Sequence, residues 1–463
     1  MERVLGLWRW RGLSLIGRVT IFKALAFSKI VFISYLNEVP EEIIEKIEKI
    51  QKDFIWEDKK TKIKHTTFIS DYVDGGLKDI DIKAKIESLH LSWLKRLYDK
   101  NTHPWKKIPL KLFKEQFSQE IFYPNVQIKL NDRFPNFYHQ IAKCWSNIVQ
   151  NPITPATVKI QHIWFNKFIK INNEPVKKLF NFQLFVGDFF NGKNLKKWKD
   201  FKQNFHLSGK EFFKWRQIVN AIPRQWKNLI QSDDMNLDEN APPQQHLLQL
   251  TRILPIEKLT AKLIYLIKIL QVKEKPTSQS TILTKIGENE NDIEWKKAYT
   301  NARKSTIDSY CRVFHYKCAL NILSLNDSLS KIKKKDEPSQ MIAENSKCSY
   351  CKIEKETIIH LFAKCPIIKN IWISLNQKIS IDLPSLTPKS AFFGFYENDC
   401  MITNHIHTIF KIAVYNNRDK GDCNSTYIIN KILQIQKIEE NIVYLNENAR
   451  KKNEKKWAVF KVL

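Results

Sequence analysis

Glycine is scarce in this chain, and so are the motifs built on it. The 463 residues hold only 11 glycines, with no G-x-x-x-x-G-K-[ST] phosphate loop and no G-x-S-x-G elbow. No H-E-x-x-H helix occurs either. These absences argue against a P-loop nucleotide hydrolase, an elbow-type serine hydrolase and a zincin protease. Adjacent aspartates occur once, Asp233-Asp234 in QSDDMN, without apolar strands to hold two carboxylates at a metal pair; a solvated linker is the plainer reading. Cysteine is sparse too. Of the 8 present, Cys144, Cys311, Cys400 and Cys423 lie outside any close pair. That pattern excludes a secreted disulfide framework and fits a reducing cytoplasm or nucleus. The apolar stretch near the start is interrupted by Arg18, Lys23 and Lys29, which speaks against a signal peptide or a membrane span.

Hydrophobic residues make up 43% of the chain and aromatics 12%, so there is material for buried cores. By length the chain should form about two to four domains. Scarce glycine and abundant Lys, Ile, Leu, Asn and Glu tilt the reading towards helix, although a biased genome also enriches Lys, Asn and Ile. The net charge is +28. Such a balance calls for a polyanionic partner, and nucleic acid ranks above an anionic membrane or a small-molecule substrate. The charge is uneven: residues 101–200 hold 16 Lys+Arg against 6 Asp+Glu, so +10, whereas residues 1–100 hold 19 against 15, so +4. A merely soluble basic surface is the bland alternative.

Residues 13–36, LSLIGRVTIFKALAFSKIVFISYL, read as one long helix or a broken pair, with Leu15, Val19, Phe22 and Ala26 at helical spacing. On an ideal helix Arg18 and Lys29 point the same way, and Arg11 joins them if the helix starts early. After Asn37 and Pro40, the residues Ile43, Ile47, Ile50 and Phe54 predict a second amphipathic helix, with Glu41 and Glu42 in its first turn. KKTKIKH (59–65) reads as a basic loop and Gly75-Gly76 as a turn. Leu89, Trp93 and Leu97 predict a third helix. From 100 to 230 short, aromatic-rich helices are punctuated by prolines. Residues 232–245 and 273–292 read as linkers, and no fixed-period repeat occurs.

The strongest local signal is CSYCKIEKETIIHLFAKC, which spells C-x2-C-x8-H-x4-C across Cys348, Cys351, His360 and Cys365. Two thiols from a tight turn, joined by a downstream His and Cys, supply the four N/S ligands that tetrahedral Zn2+ prefers. With all four positions filled, the ion would be structural, not catalytic. Residues five apart on an α-helix lie about 140 degrees apart, so Cys365 must sit at or beyond the helix end, and Pro366 suits that. The competing reading is a buried helix with incidental cysteines. Cys311, His315 and Cys318 look similar, but their helical spacing and aromatic neighbours place them in a core.

WRWRGLSLIGRVTIFKALAFSKIVF, followed by FIWEDKKTKIKHTTFISDYVDGGLKDIDIKAKIESLHLSWLKRL, resembles the segment after the palm in LINE-type (non-LTR) retrotransposon reverse transcriptases. FPNFYHQIAKCWSNI, WKKAYTNARKSTIDSYCRVFHYKCALNIL and CSYCKIEKETIIHLFAKCPIIKNIW are similar to later landmarks of the same polyprotein. The resemblance runs in blocks along nearly the whole chain. It departs at the catalytic centre, since nothing matches the palm's aromatic-x-Asp-Asp motif. The chain therefore resembles the thumb and carboxy-terminal region, and Met1 would be an internal methionine of a truncated copy.

What this implies is a mainly α chain. A thumb-like helical bundle over 1–100 would lie along a template–primer duplex. A basic aromatic-rich helical region over 101–230, a linker-rich segment with one helix over 231–294, a helical region with a small zinc-knuckle-like module over 295–375 and a basic helical tail over 376–463 would follow. The expected function is non-catalytic binding of RNA or DNA, with one structural Zn2+. Arg11, Arg18 and Lys29, with Lys59, Lys60, Lys62 and Lys64, would neutralise phosphates; any one of these lysines alone reads as a solvated charge. Trp145, Trp164 and Trp198 could stack on bases, with burial in a core as the alternative. Two further readings stand beside this one: a zinc-containing scaffold or interaction protein, and an accessory chain to a palm carried elsewhere.

Overall fold

The computed structural model describes residues 1–57, 60–98, 101–117, 125–127, 129–147, 155–231, 260–333, 341–396 and 401–463. Helix accounts for 62% of the residues and strands are few. The chain divides into two compact units, each assembled from separated stretches. One comprises Met1–Phe27, Lys49–Ile80 and Lys273–Leu463; the other comprises Ser28–Glu48 and Asp81–Val272. Residues 1–100 thus contribute to both. The candidate linker at 232–245 lies outside the described residues.

Leu15–Leu36 is one continuous helix, long and apolar enough by length and composition to cross a membrane, and the one such helix among the described residues. Ser14 caps it by accepting a hydrogen bond from the Gly17 amide. The stretch Phe22–Phe27 is wound as a π-helix, which breaks the 3.6-residue period there. Val19, Phe22 and Ala26 are buried, as the spacing suggests, Leu15 is half-buried, and Phe27 is buried as well.

In the helix Glu41–Trp56 the expected stripe is buried at Ile47 and Phe54 but not at Ile43, which is 42% exposed, and Ile44 and Ile55 join it. The buried Gln51 sets the register, donating through Nε2 to Asp79 Oδ2 at 2.9 Å and to the Ile80 carbonyl at 2.8 Å. The turn after Tyr72–Asp74 needs both of its glycines. Gly75 sits at φ 82, and a Cβ on Gly76 would lie 2.0 Å from the Ser70 carbonyl oxygen. Gly76→Ala should lower stability by about 3 kcal/mol or more, read as a fall in the urea midpoint; an unchanged midpoint would refute this packing.

Within the first unit, the helix Met401–Asn416 is the central element, with every residue from Ile402 to Val414 buried. Its polar side chains therefore need partners from the helices around it. Asn404 Oδ1 accepts from Asn301 Nδ2 at 2.8 Å and from the Phe395 amide at 2.7 Å. Glu439, on Ser425–Val443, pairs with Lys456 and accepts from Thr306 Oγ1 at 2.7 Å and Trp457 Nε1 at 3.1 Å. Residues 273–292, which the sequence suggests as a linker, carry the helix Ser278–Ile286. Ile282 anchors it by full burial, and Gly287 ends it in the left-handed conformation.

Within the second unit, Ile82–Tyr98 packs against Asn136–Asn147 and Ala261–Val272 around Leu91, Leu94, Phe113, Trp145 and Ile264. His90 Nε2 bonds the carbonyls of Ser34 and Asn37, and Lys268 pairs with Glu87 almost out of solvent. Residues 155–231 build a separate core around Ile163, Trp164, Phe189, Phe201 and Trp226. This stretch is not purely helical. Lys170–Ile171 pairs antiparallel with Glu174–Pro175, and Phe190–Asn191 with Asn194–Leu195. Asn172 and Asn173 both take positive φ, as a two-residue hairpin turn requires, and Gly192 does so in the other.

Candidate metal centre

The residues from Ser346 to Cys365 fold as a tight turn followed by a short helix. Before the turn, Lys347 bridges Lys355 across an antiparallel pair. The Cys348 amide donates to the Glu354 carbonyl at 2.7 Å. Lys352 closes the turn, donating from its amide to the Cys348 carbonyl at 3.0 Å and taking φ 59. Cys348 and Cys351 are thereby turned towards the same point.

The other two ligands come from the following helix. His360–Lys364 is wound as a π-helix, and the Cys365 amide donates to the His360 carbonyl, five residues back, at 2.7 Å. The wider turn brings residues five apart towards one side, which α-helical winding does not do. Cys365 stands at the junction, with Pro366 opening the helix Pro366–Asn376. Cys365 thus lies beyond the end of its helix, as the spacing requires.

The four ligand atoms lie within 4.8 Å of one another, close enough to hold one metal ion. Cys348 Sγ and Cys365 Sγ are 3.9 Å apart, and Cys351 Sγ is 3.2 Å from His360 Nε2. A tetrahedral ion with sulfur ligands at about 2.3 Å separates two sulfurs by about 3.8 Å. The side chains therefore need only small adjustments to enclose an ion of that size. Among the described residues this is the one such grouping of three or more His, Cys, Asp or Glu ligands.

Charge and hydrogen bonding around the cluster suit a cation. The Cys348 thiol donates to Cys365, which raises its own pKa and lowers that of Cys365. A bound cation would displace the proton and favour thiolates. His360 Nδ1 lies 3.0 Å from Glu354 Oε2, which fixes the ring with Nε2 towards the sulfurs. The loop itself is pinned from below. The fully buried Glu356 accepts from the Ser349 amide at 2.7 Å and the Asn326 amide at 3.2 Å, and Arg418 stands 3.6 Å away. Tyr350 donates to the Val414 carbonyl at 2.7 Å, and Leu361, Phe362 and Ala363 are buried beneath. Sequence reasoning picked out the four residues that cluster but missed Glu354 and Glu356, because charged residues between them carry no spacing signal.

The look-alike set is core. Cys311, His315 and Cys318 are all buried on the helix Ser309–Ala319, and His315 Nε2 bonds the Ala298 carbonyl at 2.9 Å. Burial raises both thiols and pushes His315 down to about 3.

The expected phosphate contacts fare unevenly. Arg18 is buried, 4% exposed; its guanidinium donates to the Phe54 carbonyl at 3.1 Å and pairs with Glu57. It holds the fold and is not part of an exposed face, because the helical phase that looked outward in the sequence meets the helix Glu41–Trp56. Arg11 lies outside the helix, exposed, with its guanidinium over the Trp8 ring. Lys29 and Lys60 are exposed. Lys62 donates to Ser324 Oγ at 2.6 Å, and Lys64 pairs with Glu274 at 3.0 Å. Lys59 lies outside the described residues. Of the three tryptophans, Trp145 and Trp164 are buried in cores, whereas Trp198 is half-exposed. Comparison with protein-family models and with curated proteins finds no match to this chain.

Proposed function

We propose that this chain is a non-catalytic nucleic-acid-binding protein akin to the thumb and carboxy-terminal region of a LINE-type reverse transcriptase, with one structural zinc held by Cys348, Cys351, His360 and Cys365. The observation that carries the reading is the closed four-ligand cluster set in a chain of net charge +28. Three cysteines and a histidine fill every position of a tetrahedral ion, so the metal organises the fold and offers no site for substrate. The surplus of Lys and Arg supplies attraction to phosphates. The sequence blocks that resemble the retrotransposon enzymes supply the family.

The test is the salt dependence of binding. If roughly six phosphates are neutralised, the log–log slope of affinity against salt on duplex DNA should be about −5. Replacing the exposed Arg11, Lys29 and Lys60 by Gln should reduce that slope by up to ~3, and replacing Lys451, Lys452 and Lys455 should do less. Primer extension with Mg2+ and deoxynucleotides should give no product, since two-metal phosphoryl transfer needs carboxylates to hold the ions. A salt-independent affinity would refute the reading, and a zinc-loaded chain that binds no nucleic acid would favour the scaffold alternative.

A further inference from the structure

Residues 155–231 concentrate the positive charge. They hold 15 Lys+Arg against 4 Asp+Glu, so +11 of the chain's +28. The acidic groups are few and partly engaged: Glu174 pairs with Lys177, Glu211 bonds Ser208, and Asp188 accepts from the Phe185 amide. Within this stretch Ile160, Phe165 and Leu195 are exposed at 36–39%, but one large apolar side chain stands out far beyond them. Phe213, on the helix Phe212–Ala221, is 73% exposed. It follows a half-buried ring and precedes two exposed cations, Lys214 and Arg216.

Phe213 is not isolated. Phe212 meets it at 5.6 Å and stacks on Trp215 at 5.9 Å, and Trp198 packs against both Phe212 and Trp215 at 5.8 Å. Trp198, Phe212 and Trp215 are each half-exposed, and Trp198 is followed by the exposed Lys199. A core residue would be covered and a solubility surface would avoid the ring. An aromatic cluster open at one edge and rimmed with cations matches what unpaired bases need: a flat apolar face to stack on, and charge for the backbone between them. Duplex bases are already stacked and offer no free face.

We infer that Trp198, Phe212, Phe213 and Trp215 form a stacking platform for single-stranded nucleic acid, with Lys199, Lys214 and Arg216 as its backbone contacts. The inference rests on the nucleic-acid reading above and deepens it, naming the strand state and the surface. Stacking uses the base face and not the sugar, so single-stranded RNA and DNA both fit.

The experiment compares fluorescein-labelled 20-nucleotide oligouridylate, oligothymidylate and a 20-base-pair duplex as probes of the full chain. Phe213→Ala should weaken both single strands by roughly tenfold, the loss of about one stacked base. Duplex affinity should hold within about twofold, with the salt slope unchanged, since the ring carries no charge. Phe213→Tyr should restore wild-type affinity. Replacing Lys199, Lys214 and Arg216 by Gln should instead lower the single-strand slope by up to ~2. Phe213 is largely exposed, so its loss should leave the circular dichroism spectrum intact. Wild-type affinity of Phe213→Ala for the single strands would overturn the platform while leaving nucleic-acid binding in place, as would an equal loss on the duplex. Wild-type chain that binds none of the three probes would overturn both readings.

Discussion

Cys348→Ser should take the bound zinc from about one ion per chain to none, because a closed Cys3His site loses a quarter of its ligands and the thiolate that anchors the turn. The effect on structure should be large and local. Structural zinc in small modules carries apparent binding energies of about 10–16 kcal/mol, and that energy is folding energy. The turn at Cys348–Cys351 and the π-wound segment His360–Lys364 should therefore lose hydrogen-exchange protection together. Cys311→Ser should keep the metal, since Cys311 is buried on the helix Ser309–Ala319 and is not among the clustered residues. Glu354→Gln should keep the stoichiometry but lower affinity by about 10–100-fold in chelator competition, because only the orientation of His360 is weakened. Equal zinc loss from Cys348→Ser and Cys311→Ser would refute the site.

The clustering of Cys348, Cys351, His360 and Cys365 was legible because metal chemistry ties residue type to spacing, and three thiols and an imidazole seldom fall at those intervals by accident. The requirement that Cys365 lie past its helix followed from rotation per residue alone. The π-winding that brings His360 and Cys365 together was not legible, since no residue in HLFAK encodes an extra residue per turn. Arg18 shows the opposite failure. Periodicity placed it on one face of a helix, but periodicity says nothing about which face another helix will cover; Glu57 and the Phe54 carbonyl decide that. The interleaving of 1–100 between two units is invisible for the same reason, because a linear reading cannot see contacts with residues two hundred positions away. The hairpins at 170–175 and 190–195 were encoded by Asn172-Asn173 and Gly192-Lys193, and were hidden by strands of only two residues.

Acid should unfold the first unit well above the pH at which its carboxylates titrate. Besides His360 of the metal cluster, three histidines among the described residues there are fully or nearly fully buried: His315, His405 and His407. Burial pushes His315 and His405 down to about 3 and His407 well below its ordinary value. Charge reinforces this, since Lys411 lies near His315 and His407 and Lys456 near His405, whereas Glu439 opposes it only at His405. His407 sits between Trp372 and Phe395, and neither ring nitrogen finds a hydrogen-bond partner among the described residues. These groups are neutral in the folded state and protonate freely in the unfolded one below about pH 6.5. Their contribution is therefore complete above that pH and falls as pH drops towards their folded values. With three such groups, unfolding near pH 5.5 should take up close to three protons. Stability should then fall by about 4 kcal/mol per pH unit, against a typical total of about 5–15 kcal/mol. Glu439 contributes separately. Burial alone would raise it, but the charge and hydrogen bond of Lys456 and the hydrogen bond from Thr306 offset this, so its contribution is lost only as pH falls below its ordinary value of 4.5. Urea unfolding between pH 7 and 5 measures the slope directly. His407→Phe should remove about one proton from it whatever the substitution does to the midpoint. Zinc release would contribute equally in both proteins, so the difference isolates the histidine. An unchanged slope in His407→Phe would show that His407 does not titrate on unfolding and would refute its neutral burial.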